Sequence, residues 1–168
     1  MSTALAARGV SKRFGEDGIV DDVDLTVEDN EILLLMGPNG VGKTVLLSCL
    51  AGSERPTAGD VSIFGEPASD RSGDQVAFLA QETMAIETLT GRENVDFYQR
   101  LHPRFTDRWQ RYLTDLDLTA DLDKLVEHYS GGMKRKLELS LTLSMDVPIY
   151  LLDEPTAGVA LSMIQRFH

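Results

Sequence analysis

The chain has 168 residues, 42% of them hydrophobic, with 27 acidic against 16 basic side chains and a net charge of −11. That length supports one autonomous core, and the hydrophobic content argues against intrinsic disorder. The acidic balance argues against a nucleic-acid binder, which needs a broad lysine and arginine surface to neutralise phosphates. Cys49 is the only cysteine, so no intramolecular disulfide framework exists and a cytosolic setting is expected. The segment MSTALAARGV has no basic stretch ahead of a long apolar run, and the densest apolar stretch, residues 32–36, is too short to span a bilayer. Any membrane role is therefore expected to come through a partner.

Taken in chain order, residues 19–27 set Val23, Leu25 and Val27 against Asp22, Asp24 and Thr26, an alternation that predicts a strand with one wet face and antiparallel pairing. EILLLM, residues 31–36, is apolar without alternation, the pattern of a strand covered on both faces of a parallel sheet. Glycines follow at once, then a predicted helix from about residue 43 to 51, stopped by Gly52 with Pro56 beyond. Residues 60–65 and 74–80 read as two more strands joined by a Gly, Pro and Ser stretch. Thr90 with Glu93 three residues on predicts a capping box, opening a helix that ends before Pro103. Further helices are predicted over 106–116 and from about 132 to 145, the latter with Met133, Leu137, Leu141 and Met145 on one face. IYLL after Pro148 returns to a buried strand, and residues 159–167 read as a last short helix. The order describes an α/β chain with a helical excursion.

Three segments carry chemistry. Gly37-Pro38-Asn39-Gly40-Val41-Gly42-Lys43-Thr44 fits a phosphate-binding loop set between strand and helix. Its glycines let main-chain N–H groups turn inward around a triphosphate, Lys43 bridges phosphates, and the Thr44 hydroxyl suits Mg²⁺. Asp153 and Glu154 end the IYLL strand, either as a solvated turn or as a metal-binding acid and a water-polarising acid. Ser130-Gly131-Gly132 opens the third helix, either as a plain serine cap or as a second anion site.

The order GPNGVGKT, Gln81 in FLAQE, YSGGM and IYLLDEP resembles the nucleotide-binding domain of ATP-binding cassette ATPases, from about residue 4 to 158. Kinases and small GTPases share the phosphate loop but lack the Ser-Gly-Gly signature. The resemblance implies a P-loop NTPase fold of the α/β class, a RecA-like parallel core sheet with an N-terminal antiparallel β portion and an inserted helical subdomain. It implies one domain over 1–168, C-terminally incomplete, with residues 1–81 and 146–168 as core lobe and 82–145 as helical subdomain. It also implies an ATPase that works as a head-to-tail dimer, homo- or heteromeric, driving a transmembrane permease subunit from the cytoplasmic face of the membrane. ATP and Mg²⁺ would be the cofactors and nucleic acid no partner.

By the same resemblance, the nucleotide meets Phe14, Gly37, Pro38, Asn39, Gly40, Val41, Gly42, Lys43, Thr44, Val45 and Gln81. Phe14 stacks on adenine, or else is a strand residue of a small core. Thr44, Gln81 and Asp153 hold the metal, Glu154 is the catalytic base, and Ser130, Gly131 and Gly132 meet the ATP of the opposite subunit. LTGRENVDFY and YSGGMKRKLELSLTL look more like exporter than importer subunits. Two departures stand out: Ala160 occupies the place of an aspartate in the loop that crosses the dimer, and no histidine follows a further strand after Glu154. They leave a second reading open, a nucleotide-binding module or truncated fragment with little turnover.

Overall fold

The computed structural model describes residues 2–157, the side chains of residues 70–72 excepted. The chain divides into two compact units, Met1–Phe78 and Leu79–His168. The expected last helix over 159–167 and Ala160 lie outside the described residues.

In the first unit, β1 (Thr3–Phe14) pairs antiparallel with β2 (Asp17–Glu28), and β3 (Ala58–Ile63) pairs antiparallel with the other edge of β1. The short β4 (Glu66–Pro67) completes the sheet order β2-β1-β3-β4. The predicted antiparallel pairing near the N-terminus is thus present. β1 is irregular, with register shifts between Ala7 and Val10 where Gly9 takes φ 58°. The close approach of β3 there dictates a glycine: a Cβ at Gly59, φ +79°, would lie 2.2 Å from the Gly9 carbonyl oxygen. Helix α1 (Lys43–Leu50) adds Leu46, Cys49 and Leu50 to a core that includes Leu5, Val10 and Ile63. Burial pushes the Cys49 thiol above its ordinary value, which suits a packed and unreactive side chain. Residues expected to be only a connection, after Pro67, instead form helix α2 (Ala68–Gln75), leading into β5 (Val76–Leu79).

The segment 31–36 departs from its sequence pattern. It lies outside every strand, with Ile32 95% and Met36 83% exposed. An apolar run becomes a buried strand only when neighbours supply both ladder edges and cover, and no strand among the described residues pairs with this one.

The second unit contains α3 (Gly91–Leu101), α4 (Trp109–Asp115), two 3-10 turns (Thr119–Asp121 and Val126–His128), α5 (Gly131–Leu143) and β6 (Ile149–Leu152). Its larger core gathers Val95, Leu113, Leu118, Leu122, Val126, Tyr129, Leu137 and Leu141, so the predicted face of α5 is the buried one. A smaller cluster joins Leu79, Leu116 and Leu139. The Leu79 carbonyl accepts from the Asp153 N–H at 2.9 Å, just past β6. Helix α4 starts later than expected because Thr106 is engaged elsewhere: its N–H and hydroxyl both donate to Ser144 O, at 2.9 and 2.8 Å.

The capping box is complete. The Thr90 hydroxyl accepts from Glu93 N–H at 3.1 Å, the Glu93 carboxylate accepts from Thr90 N–H at 2.8 Å, and these bonds hold Glu93 below the usual carboxylate range. Thr90→Ala is expected to cost about 1 kcal/mol in urea unfolding, with Thr90→Ser close to the parent.

Candidate functional site

In the first unit, residues 37–41 form an exposed loop that feeds α1. Gly40 (φ 81°) and Gly42 (φ 100°) both occupy the left-handed region. Gly42 is also the N-cap of α1 and supplies no side-chain oxygen to the first turn of N–H groups. The helix start therefore carries its positive potential without an internal side-chain cap, as an anion site requires. Lys43 turns back into the loop, donating to Gly37 O at 2.7 Å and Pro38 O at 2.8 Å. Thr44 and Val45 follow on α1, both half-buried.

A cavity of about 220 Å³ opens beside the loop, between Ile19 and Val20 of β2 and Val41, Gly42, Lys43 and Leu46. The contact is close: a Cβ at Gly42 would stand 2.7 Å from Ile19 O. Phe14, at the end of β1, is 50% exposed. The Lys12 ammonium sits 4.9 Å from its ring centroid and pairs with Glu54 at 2.5 Å. Sequence reading missed this buried lysine, whose only local signal was its position two residues before Phe14.

In the second unit, Gln81 is exposed just after β5. Ser130 is the N-cap of α5, its hydroxyl accepting from Met133 N–H at 3.1 Å, with Gly131 and Gly132 opening the helix. Asp153 is 4% exposed, whereas Glu154 stands in solvent with φ 45°. The acid pair thus splits into one inward and one outward carboxylate.

Two further residues that the sequence did not flag hold this region. Tyr129, buried immediately before the Ser-Gly-Gly turn, donates its hydroxyl to Asp121 O at 2.7 Å. A Cβ at Gly91 would lie 2.4 Å from that hydroxyl, so the first residue of α3 must be small. Burial, then the carboxylates of Asp121 and Asp123, pushes the Tyr129 phenol up to about 12. Arg135, on α5, donates to Ala80 O at 2.7 Å and to the carbonyls of Asp153 and Glu154.

Residues 20–157 match the family model described as ABC transporter. The chain belongs to this family. The daunorubicin resistance ATP-binding protein DrrA3 of Streptomyces coeruleorubidus is 34% identical over 164 residues, covering 94% of this chain and 52% of its own. A sulfate/thiosulfate import ATP-binding protein CysA from Bordetella bronchiseptica is 36% identical over 162 residues, covering 90% of this chain and 46% of its own. The chain spans about half the length of the curated relatives it matches. Among solved structures, the ATP-binding cassette MJ0796, in a dimeric post-hydrolysis state bound to ADP and Pi, matches with a TM-score of 0.84 at 23% identity, over 96% of this chain and 78% of that one. The fold is that of the ATP-binding cassettes, a P-loop α/β architecture with an antiparallel N-terminal sheet.

Gly42→Ala is expected to lower stability by about 1 to 3 kcal/mol in urea unfolding, because both its φ and its contact with Ile19 exclude a side chain. For Tyr129, the folded value lies above the ordinary 10.0, so its stabilising contribution is complete below about pH 10 and is lost as pH rises toward about 12. Tyr129→Phe should flatten that alkaline decline in a pH series of thermal melts, and cost about 1 kcal/mol near neutrality through the lost hydrogen bond.

Proposed function

We propose that this chain is the nucleotide-binding part of a transporter ATPase that binds MgATP and hydrolyses it in a head-to-tail pair of cassettes. The observation that carries the reading is the uncapped N-terminus of α1 behind two left-handed glycines, with the Lys43 ammonium held inside the same loop. A polyphosphate suits this arrangement: main-chain N–H groups and one cation face it, and no side-chain oxygen of the N-cap competes. The backbone of residues 37–42 would cradle the phosphates, Lys43 would neutralise the terminal ones, and Val45 would lie beside them. Phe14 offers an exposed aromatic face to adenine, and the cation beneath the ring keeps it in place.

The proposed metal ligands, the Thr44 hydroxyl, the Gln81 side-chain oxygen and the Asp153 carboxylate, are hard oxygen donors that suit Mg²⁺. Mg²⁺ supplies charge neutralisation on the phosphates when bound. Glu154, facing solvent, would act as general base, taking a proton from the attacking water. Ser130, Gly131 and Gly132 would present the start of α5 to the nucleotide of the opposite cassette.

For the whole protein, we infer coupling to a separate membrane subunit and a position on the cytoplasmic face of the membrane. No helix of the described residues is long and apolar enough to cross a membrane. Export is the favoured direction, supported by the exporter-like segments around Thr90 and Ser130 and by the likeness to the daunorubicin resistance protein DrrA3. We propose a single cassette, with residues 82–145 as its helical part. A second reading, nucleotide binding without efficient turnover, is favoured by segment 31–36, which pairs with no strand among the described residues ahead of the proposed phosphate loop.

Glu154→Gln is expected to reduce phosphate release by about 100-fold or more, with equilibrium ATP affinity within about twofold of the parent because binding is uniform in the two proteins. Turnover unchanged by this substitution overturns the role of Glu154. Measurable ATP affinity with parent phosphate release at background selects the second reading.

A further inference from the structure

Arg135 and Glu138 are charged residues one turn apart on α5, and both are buried, at 7% and 3% exposure. A buried pair of this kind is retained only where hydrogen bonds meet its polar atoms. The guanidinium meets them almost entirely with main chain. Its Nη1 donates to Ala80 O at 2.7 Å and lies 3.5 Å from Glu138 Oε2. Its Nη2 donates to Asp153 O and, at 3.2 Å, to Glu154 O, and its Nε reaches Glu154 O at 3.3 Å. One side chain thus clasps three carbonyls from two separate stretches, the residue before Gln81 and both members of the acid pair.

Glu138 acts on the other flank of Gln81. Its Oε1 accepts from Met84 N–H at 2.9 Å and Ala85 N–H at 3.5 Å, and Tyr98 donates to Met84 O at 2.7 Å. Residues 81–83 are exposed between these two fixed posts. At the acid pair, Glu154 has φ 45°, a conformation that residues with a Cβ rarely hold without support. Its carbonyl is held by Arg135 and by Ala157 N–H, the latter at 3.1 Å.

We infer that Arg135 is the positioning residue of this centre: its clasp on the Asp153 and Glu154 carbonyls fixes the turn that sends one carboxylate inward and the other to solvent, and ties that turn to the helix begun by Ser130. The inference rests on the proposed role of Glu154, but its geometric part does not. A lysine keeps the charge and loses the fork, since its donors sit on one nitrogen whereas the guanidinium reaches these carbonyls from three.

The test is Arg135→Lys, read by site-resolved amide hydrogen exchange, thermal melting, ATP equilibrium binding and phosphate release. The expected result is an intact melt and exchange faster by about tenfold at Asp153 and Ala157, with α3 amides unchanged. Phosphate release should fall by about 10- to 100-fold in kcat, with KM for MgATP within about threefold. Unchanged exchange at Asp153 and Ala157 overturns the inference. Exchange that rises equally in α3 with a lowered melt also overturns it, because that is general destabilisation. A parent chain that binds no ATP sinks the functional reading alone, and the exchange comparison still decides the role of Arg135.

Discussion

A carbonyl left behind by the end of a strand must find a donor if it is buried, and in the second unit one guanidinium serves three of them. That requirement shapes what surrounds it. Helix α5 carries leucines on its core face and an ion pair on the face turned toward β6, so two kinds of cohesion meet on one helix. Apolar packing of Leu137 and Leu141 fixes where the helix lies, and the guanidinium fixes what the adjoining loops do. The Ser130 cap and the buried Tyr129 hold the start of the same helix. The three motif segments of this unit are therefore braced by one element, and their relative geometry does not depend on long flexible side chains in water.

The first unit solves its corresponding problem by omission. At Gly42 and Gly59 the backbone passes so close to Ile19 and Gly9 that any side chain would collide, and at both positions φ is positive. The glycine-rich loop is thus set by absent side chains, and the acid turn of the other unit by a large one. Both devices leave main-chain groups in conformations that an unsupported chain would seldom keep.

What could be read from the sequence was whatever depends on near neighbours. The Thr90 and Glu93 box is a three-residue relation and the buried stripe of α5 a four-residue one, and both lie where the sequence placed them; the glycine-rich loop 37–42 leads into its expected helix but without its expected strand. Segment 31–36 was misread because strand formation depends on ladder partners that no local pattern can guarantee. The irregular β1 buries Ala4, Leu5, Ala6 and Ala7 in succession, so alternation gives no clear strand signal there. Helix α2 is polar and short, with no apolar stripe to announce it. Arg135 is one of three consecutive basic residues, and its partner Ala80 lies 55 positions away, beyond the reach of any local pattern. Buried charge is a property of the fold, and the sequence around it carries no mark.

The unpaired segment 31–36 has a colloidal consequence. The exposed side chains of Ile32, Leu34 and Met36 form an apolar surface of the kind on which like chains adhere. The net charge of −11 opposes this by keeping molecules apart. The balance shifts with ionic strength: at a screening length of about 8 Å in physiological salt the repulsion shrinks to near contact range, while apolar adhesion is undiminished. The acidic composition is thus a solubilising counterweight to an exposed apolar stretch, and its effect is greatest in dilute buffer.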